Sequence, residues 1–167
     1  MTESVARSLA AGERILLNGV IYTGRDAAHK RLVNCLDEHR PLPVERRDQL
    51  IYFVGPCPAP PGYPIGSAGP TTSGRMDAYS PRLISECGLR GMIGKGNRSD
   101  AVIEAMKTSG CVYLAATGGA GALISQCIVS AEVVAFADLG PEAIYRLEVR
   151  DLPLIVAIDC HGNSMYK

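Results

Sequence analysis

The sequence has little that would bind nucleic acid or a membrane. Its 167 residues contain no Trp and only two Phe, so an aromatic platform for stacking bases is missing. The 17 Lys and Arg are balanced by 17 Asp and Glu, whereas nucleic-acid binding usually needs a basic excess. No apolar run approaches the ~18 residues of a membrane-spanning helix. We therefore expect neither a nucleic-acid partner nor a membrane partner.

Two further absences concern export and metal binding. The N-terminus lacks the apolar core of a signal peptide, and the six cysteines include no Cys-x-x-Cys pair. We therefore expect a cytoplasmic protein with reduced thiols and no metal cluster built within this chain, since cluster ligands usually come at tight spacing. The length and the 47% hydrophobic content predict a single domain over 1–167, with an N-terminal arm over about 1–11.

Strand and helix patterns alternate along the chain, which predicts an α/β fold with a layered sheet. Strands are predicted over 14–22, 50–54, 91–94, 111–115, 133–137 and 154–158. Helices are predicted over 26–38, 80–87, about 99–108 and 118–127, and a short one is expected to open at Pro141. Between the second strand and the second helix, 55–75 holds six prolines and five glycines. An irregular connection of this length is uncommon in a compact domain unless it has a function.

The end of this connection, Gly-Pro-Thr-Thr-Ser-Gly-Arg-Met-Asp over 69–77, is the most informative stretch. The hydroxyl residues Thr71, Thr72 and Ser73 lie between glycines that permit a close approach of backbone to ligand. Arg75 adds a planar guanidinium that suits a carboxylate. Composition alone leaves open a structural turn whose hydroxyls cap the next helix.

Two shorter loops supply further cations. Arg25 and Asp26 lie where the first strand passes into the first helix, at the strand end where open α/β sheets bind ligands. An exposed Arg25–Asp26 pair with His29 one turn into the helix is the alternative. Lys95 stands between two glycines after the third strand, which could hold a carboxylate or a phosphate or could be a plain turn. The three cations without a nearby base or metal cluster indicate half of an active site.

The stretches TGRDAAHKR, GPCPAPPGYPIGSAGPTTSGRMD and GKGN occur in this order, and the chain ends in LEVRDLPLIVAIDCHGNSMY. Together they resemble the β-type subunit of class I fumarase and L(+)-tartrate dehydratase, which is also the C-terminal domain of single-chain class I fumarases. The resemblance runs from about Gly12 onward. It implies a swivelling β/β/α domain with a mixed layered sheet.

The resemblance also implies a function. The family reversibly dehydrates a small hydroxy-dicarboxylate, malate to fumarate or tartrate to oxaloacetate. It uses a 4Fe-4S cluster that the partner α subunit would ligate, so this chain would be active only with that subunit. The implied roles are Thr71 as the base, Arg25, Arg75, Lys95, Thr72 and Ser73 as substrate ligands, and Asp26 and His29 as orienting groups. A non-catalytic dicarboxylate- or phosphate-binding module is the alternative.

Overall fold

The computed structural model describes residues 1–117 and 119–166 and contains a six-stranded mixed sheet in this part of the chain. The strands are β1 (Arg14–Thr23), β2 (Leu50–Tyr52), β3 (Gly91–Gly94), β4 (Val112–Ala115), β5 (Ile128–Ala135) and β6 (Ile144–Ile158). The helices are α1 (Glu3–Ser8), α2 (Asp26–Asp37), α3 (Ser80–Cys87), α4 (Asp100–Ser109) and α5 (Gly121–Gln126). Two 3-10 segments cover Ser73–Met76 and Ala137–Glu142. The α/β class with a mixed sheet is confirmed.

Five of the strands close into a barrel. Strands β1 to β4 are parallel neighbours, and β6 runs antiparallel to both β1 and β4. Ile155 of β6 pairs with Arg14 on one side and with Ala115 on the other, so β6 bridges the two edges of the parallel sheet. Strand β5 pairs with β6 beyond this closure.

Successive residues of the short strands divide between two apolar clusters, as the two-residue period of a strand requires. Ile93 and Leu114 belong to a cluster with members from all five barrel strands, and it fills the barrel. Met92 and Tyr113 belong to a second cluster that includes Leu83 of α3 and other residues from α2 and α4. This second cluster joins the helices to the outside of the barrel.

The predicted N-terminal arm contains α1. Thr2 accepts a hydrogen bond from the Val5 amide at the start of this helix, and Ala6 is fully buried in the barrel cluster. The terminal amino group of Met1 donates to the Asp48 carbonyl at 2.7 Å. The helix is therefore packed against the domain. No described helix is long and apolar enough to cross a membrane.

The C-terminal third departs from the sequence predictions. Strand β6 begins at Ile144, ten residues before the predicted 154–158, and the added part contains four charged residues and Pro153. Strand β5 begins at Ile128 and ends at Ala135, where 133–137 was predicted. The Ala137–Glu142 segment is divided at Gly140, whose backbone is not helical, and Pro141 begins the second short turn, where a short helix was predicted. Helix α5 covers part of the predicted 118–127, and Gly118 of that prediction lies outside the described residues.

Candidate functional site

Three loops meet where the parallel strands β1, β2 and β3 end. Arg25 follows β1 by two residues and Lys95 follows β3 directly. The Thr71 amide donates to the Phe53 carbonyl, just beyond β2, at 2.7 Å. The Thr71 carbonyl accepts from the Lys95 amide at 3.4 Å. The Gly-Pro-rich connection thus returns to the barrel edge and lies between the ends of β2 and β3, which places Thr71 beside the Lys95 loop.

The backbone pairing continues through the next two residues. Thr72 forms an isolated parallel bridge with Lys95, and the Ser73 amide donates to the Lys95 carbonyl at 2.9 Å. Thr72 is exposed, whereas Thr71 is half-buried. The Thr-Thr-Ser stretch therefore acts as a short added strand that fixes the position of Lys95.

The Ser73 side chain points into the protein and not toward the solvent at this edge. Ser73 is fully buried, and its hydroxyl lies 2.8 Å from the Tyr113 hydroxyl, which donates to the Gly96 carbonyl at 2.9 Å. A Cβ atom at Gly94 would come within 2.0 Å of Ser73 Oγ, so the loop can approach only because residue 94 is glycine. In this conformation the Ser73 hydroxyl is engaged with Tyr113 and stabilises the loop.

Asp26 joins the two arginines of the edge. The Arg75 Nε donates to Asp26 Oδ1 at 3.0 Å, and Arg75 Nη2 lies 3.0 Å from Asp26 Oδ2. The Arg25 Nε lies 3.9 Å from the same Oδ2 atom. One carboxylate therefore holds two guanidinium groups from different loops close together, while 52% of the Arg75 side chain stays exposed.

Glu142 is a further member of this site that the sequence did not indicate. Its Oε1 lies 3.5 Å from Arg25 Nη2, and its Oε2 accepts a hydrogen bond from the Ala27 amide at 2.9 Å. It therefore satisfies a free amide in the first turn of α2 and balances the Arg25 charge. The contact spans 115 residues of sequence, so no local pattern could have revealed it.

His29 lies beneath Arg25 and is fully buried. Its Nδ1 is 2.8 Å from the Arg25 carbonyl, and because a carbonyl only accepts, Nδ1 carries the proton. The ring packs edge-on against Phe53 at 5.3 Å. Burial lowers the pKa of His29 to about 4, so the ring is neutral near pH 7. His29 thus fixes the backbone from which the Arg25 side chain extends.

The Pro-rich connection is held at several points on its way to the edge. The Tyr52 hydroxyl donates to the Ala68 carbonyl at 2.5 Å, and the Ala68 amide donates to the Gly121 carbonyl at 3.1 Å. A Cβ atom at Gly55 would lie 2.9 Å from Arg25 Nη1, which shows how closely the connection packs on that guanidinium. The connection is therefore fixed in position and packs against one side of the site.

The charge at the edge is only partly balanced. Arg25, Asp26 and Glu142 are half-buried, but Lys95 is exposed and has no acidic oxygen within 4 Å among the described residues. Three cations thus face two carboxylates. A small dianion would find one free ammonium group and one largely exposed guanidinium here.

In residues 1–117 and 119–166, no group of three His, Cys, Asp or Glu residues is placed to hold a metal ion. All six cysteines are free thiols in this part of the chain, and four of them are buried. The described residues therefore do not fit a 4Fe-4S cluster bound by this chain.

Comparison with known proteins adds to this geometry. A family model described as the fumarase C-terminus matches residues 1–167. The aerobic class I fumarate hydratase of Escherichia coli strain K12 is 43% identical over 155 residues, which are 92% of this chain and 28% of that enzyme. The chain thus spans between a quarter and a third of the length of the fumarate hydratases it matches. A Methanocaldococcus jannaschii protein, provisionally named L(+)-tartrate dehydratase subunit beta, is 37% identical over 172 residues, with 100% of this chain and 88% of that protein covered.

Proposed function

Since this chain belongs to the fumarase C-terminus family, we propose that it is the β subunit of an iron–sulphur-dependent hydro-lyase. The proposed reaction is the reversible dehydration of a small hydroxy-dicarboxylate, malate to fumarate or tartrate to oxaloacetate. The names of its relatives, fumarate hydratases and a tartrate dehydratase subunit, support hydro-lyase chemistry. The chemistry requires that both substrate carboxylates be held while a proton leaves the carbon next to one of them.

The observation that carries the proposal is the meeting of Arg25, Arg75 and Lys95 beside Thr71 at the ends of three adjacent strands. Arg75 donates one hydrogen bond to Asp26 Oδ1, and its Nη2 lies within ion-pair distance of Oδ2, so its guanidinium is placed to bind a carboxylate. Lys95, which lacks an acidic partner in the described chain, is a ready second anchor. The two carboxylates of the substrate would bind to these cations and be fixed relative to Thr71.

Thr71 is the proposed base. Its backbone is hydrogen-bonded to Phe53 and to Lys95, so the position of its Cα atom at the edge is fixed. A threonine hydroxyl is a very weak acid, and the neighbouring cations would favour its deprotonated form. The same cations would stabilise the charge that develops on the substrate carboxylate as the proton leaves carbon.

The remaining residues divide into ligands and supports. Thr72 is exposed and is proposed as a hydrogen-bond donor to the substrate. Ser73 is proposed to act through its backbone and its Tyr113 contact, because its hydroxyl is buried. Asp26, His29 and Glu142 are proposed to orient the two arginines.

The cluster and its protein ligands are proposed to belong to a partner α subunit. One relative is named as a subunit beta, which implies a partner in that protein. When bound, the cluster would supply a Lewis acid for the substrate hydroxyl. The free thiols of this chain fit a reducing compartment, and we propose the cytoplasm.

The test is an assay of hydro-lyase activity against malate, fumarate and the tartrates. The chain is purified alone and, under anaerobic conditions, after co-expression with its candidate α subunit. We expect the pair to be active, the isolated chain to be inactive, and the activity to be lost on exposure to oxygen. The compound that reacts identifies the substrate. An inactive pair that contains an intact cluster would contradict the proposal and favour a non-catalytic dicarboxylate- or phosphate-binding module.

A further inference from the structure

Arg46 is a buried cation without a hydrogen-bonding partner. It is 1% exposed, and its Nε, Nη1 and Nη2 atoms contact no acceptor among the described residues. Its guanidinium lies over the Tyr22 ring, 5.3 Å from the centroid, which compensates only part of the lost hydration. A buried guanidinium with five N–H donors is strongly disfavoured unless something accepts from it.

The carboxylates nearest in the chain are already engaged. Glu45 Oε1 accepts from the backbone amides of Arg46 and Arg47 at 3.0 and 2.9 Å. Glu86 accepts from Arg82 at 2.6 and 3.2 Å. Neither carboxylate is hydrogen-bonded to the Arg46 guanidinium, although both line the same cavity. The described chain therefore leaves the Arg46 guanidinium open to an acceptor from outside it.

The cavity beside Arg46 has room for such an acceptor. Its volume is about 380 Å³, many times the ~30 Å³ share of one water molecule. It is lined by Leu36, Pro41, Leu42, Val44, Glu45, Arg46, Arg47, Glu86 and Cys87. Burial lowers the pKa of Arg46 to about 10, so the side chain remains charged at neutral pH. The cavity thus brings the Arg46 charge beside two carboxylates, Glu45 and Glu86, which already accept hydrogen bonds from other N–H groups.

We propose that Arg46 anchors a second anion site that binds a small oxyanion, a phosphate or a carboxylate, through its planar guanidinium. Arg46 precedes β2, whereas Thr71 lies beyond its opposite end, so this site is distinct from the barrel edge. The three nitrogens are covered in this structure, so anion binding requires a neighbouring segment to move, and we assign that movement to 41–44, which is neither helix nor strand. This inference does not depend on the proposed enzymatic function.

The test is the melting temperature of the full chain during separate titrations with inorganic phosphate and acetate at constant ionic strength. Arg75→Gln weakens anion binding at the barrel edge and is the reference protein. We expect it to retain a saturable rise of about 3 °C when the anion exceeds its dissociation constant tenfold. Adding Arg46→Met should abolish the rise. Adding Arg7→Met, a change at a surface arginine that pairs with Glu3 and does not line the cavity, should leave the rise intact. The anion that gives the Arg46-dependent rise identifies the class of ligand.

Two results would overturn the proposal. One is an equal rise with and without Arg46→Met, which would place the anion elsewhere. The other is no saturable rise with either anion in the Arg75→Gln protein. If Arg46→Met does not fold, calorimetric titration of the Arg75→Gln protein and of its Arg46→Lys derivative decides. Arg46→Lys should weaken binding at least tenfold because it loses the guanidinium fork, and unchanged binding would contradict the proposal.

Discussion

At the barrel edge, Asp26 and Glu142 partly neutralise the charges of Arg25 and Arg75. Without them Arg25 and Arg75 would repel each other and extend into solvent. With them, both guanidinium groups are held in place and only part of their charge is neutralised. Under the proposed function, the exposed part of the Arg75 guanidinium would bind a substrate carboxylate while Asp26 holds the side chain in place. The two acids are therefore expected to affect substrate affinity more than the chemical step.

The Glu142 contact can be tested by Glu142→Gln. The amide can still accept from Ala27 but no longer balances the Arg25 charge. The pair is partly exposed, so we expect an effect of about 1 kcal/mol, roughly a fivefold increase in KM with little change in kcat. Asp138→Asn is the matched control, since Asp138 pairs with Arg31 on the surface. Equal kinetics for the two variants of the assembled enzyme would show that Glu142 does not position Arg25.

The role of Thr71 predicts a different kinetic signature. Thr71→Val removes the hydroxyl and keeps the shape, so kcat should fall by roughly 10² or more while KM changes little. Thr72→Val, next to it and exposed, should instead raise KM and leave most of kcat. A Thr71→Val enzyme with weakened binding and normal turnover would make Thr71 a ligand and not the base.

At the scale of elements, the site depends on how tightly the Thr-Thr-Ser stretch packs on β3. In Gly94→Ala the added methyl would meet Ser73 Oγ at 2.0 Å and Phe53 at 2.9 Å. We expect a loss of stability of about 1–3 kcal/mol, measured by urea unfolding, because the loop must move away from the strand. The control is Gly74→Ala, where the added methyl would come no closer than 3.9 Å to the Asn97 carbonyl oxygen. Equal stability of the two variants would show that the close approach is not needed.

The buried His29, in the first turns of α2, makes the stability of the protein depend on pH. Its pKa is about 4 in the folded protein and about 6.5 when unfolded, so the unfolded chain binds more protons between these values. The contribution of His29 to the free energy of unfolding is therefore complete above pH 6.5. It falls by roughly 3 kcal/mol as the pH is lowered toward 4.

His29→Gln should flatten this part of the pH dependence of the unfolding free energy. His39→Asn is the control, because His39 is exposed and Asn tolerates its positive φ of 50°. An unchanged slope in His29→Gln would mean that His29 does not cause the loss of stability in acid.

Element boundaries that depend on local chemistry were predictable. Gly88 and Gly110 end α3 and α4 in the left-handed conformation, as glycines after helical patterns indicate. Helix α3 has the predicted bounds, 80–87, and the hydroxyl of its first residue, Ser80, donates to the Met76 carbonyl. Strand β6 was mostly missed, because its burial depends on pairing with β1 and β5.

For the whole molecule, the sequence predicted that the three cationic loops lie at one edge, because parallel strands end on the same side. It could not predict that β6 closes the sheet into a barrel, since the two contacts of Ile155 join distant parts of the chain. The same limit hid Glu142 and the inward orientation of Ser73. These features depend on the assembled fold and not on any local spacing.

The barrel edge remains open in this chain, with Arg75 and Lys95 accessible to solvent. Catalysis by hydrogen bonds and charges is most effective where water is excluded. A second chain over this edge would supply that exclusion, and the site should therefore be measured in the assembled enzyme.

The most direct test of the substrate site is the kinetics of Arg75→Gln in the complex with its α subunit. The account predicts a KM at least tenfold higher, because a substrate carboxylate loses its guanidinium partner. Arg31→Gln is the matched control, an arginine of α2 that pairs with Asp138, and should behave as wild type. A wild-type KM for Arg75→Gln would contradict the claim that this edge binds the substrate.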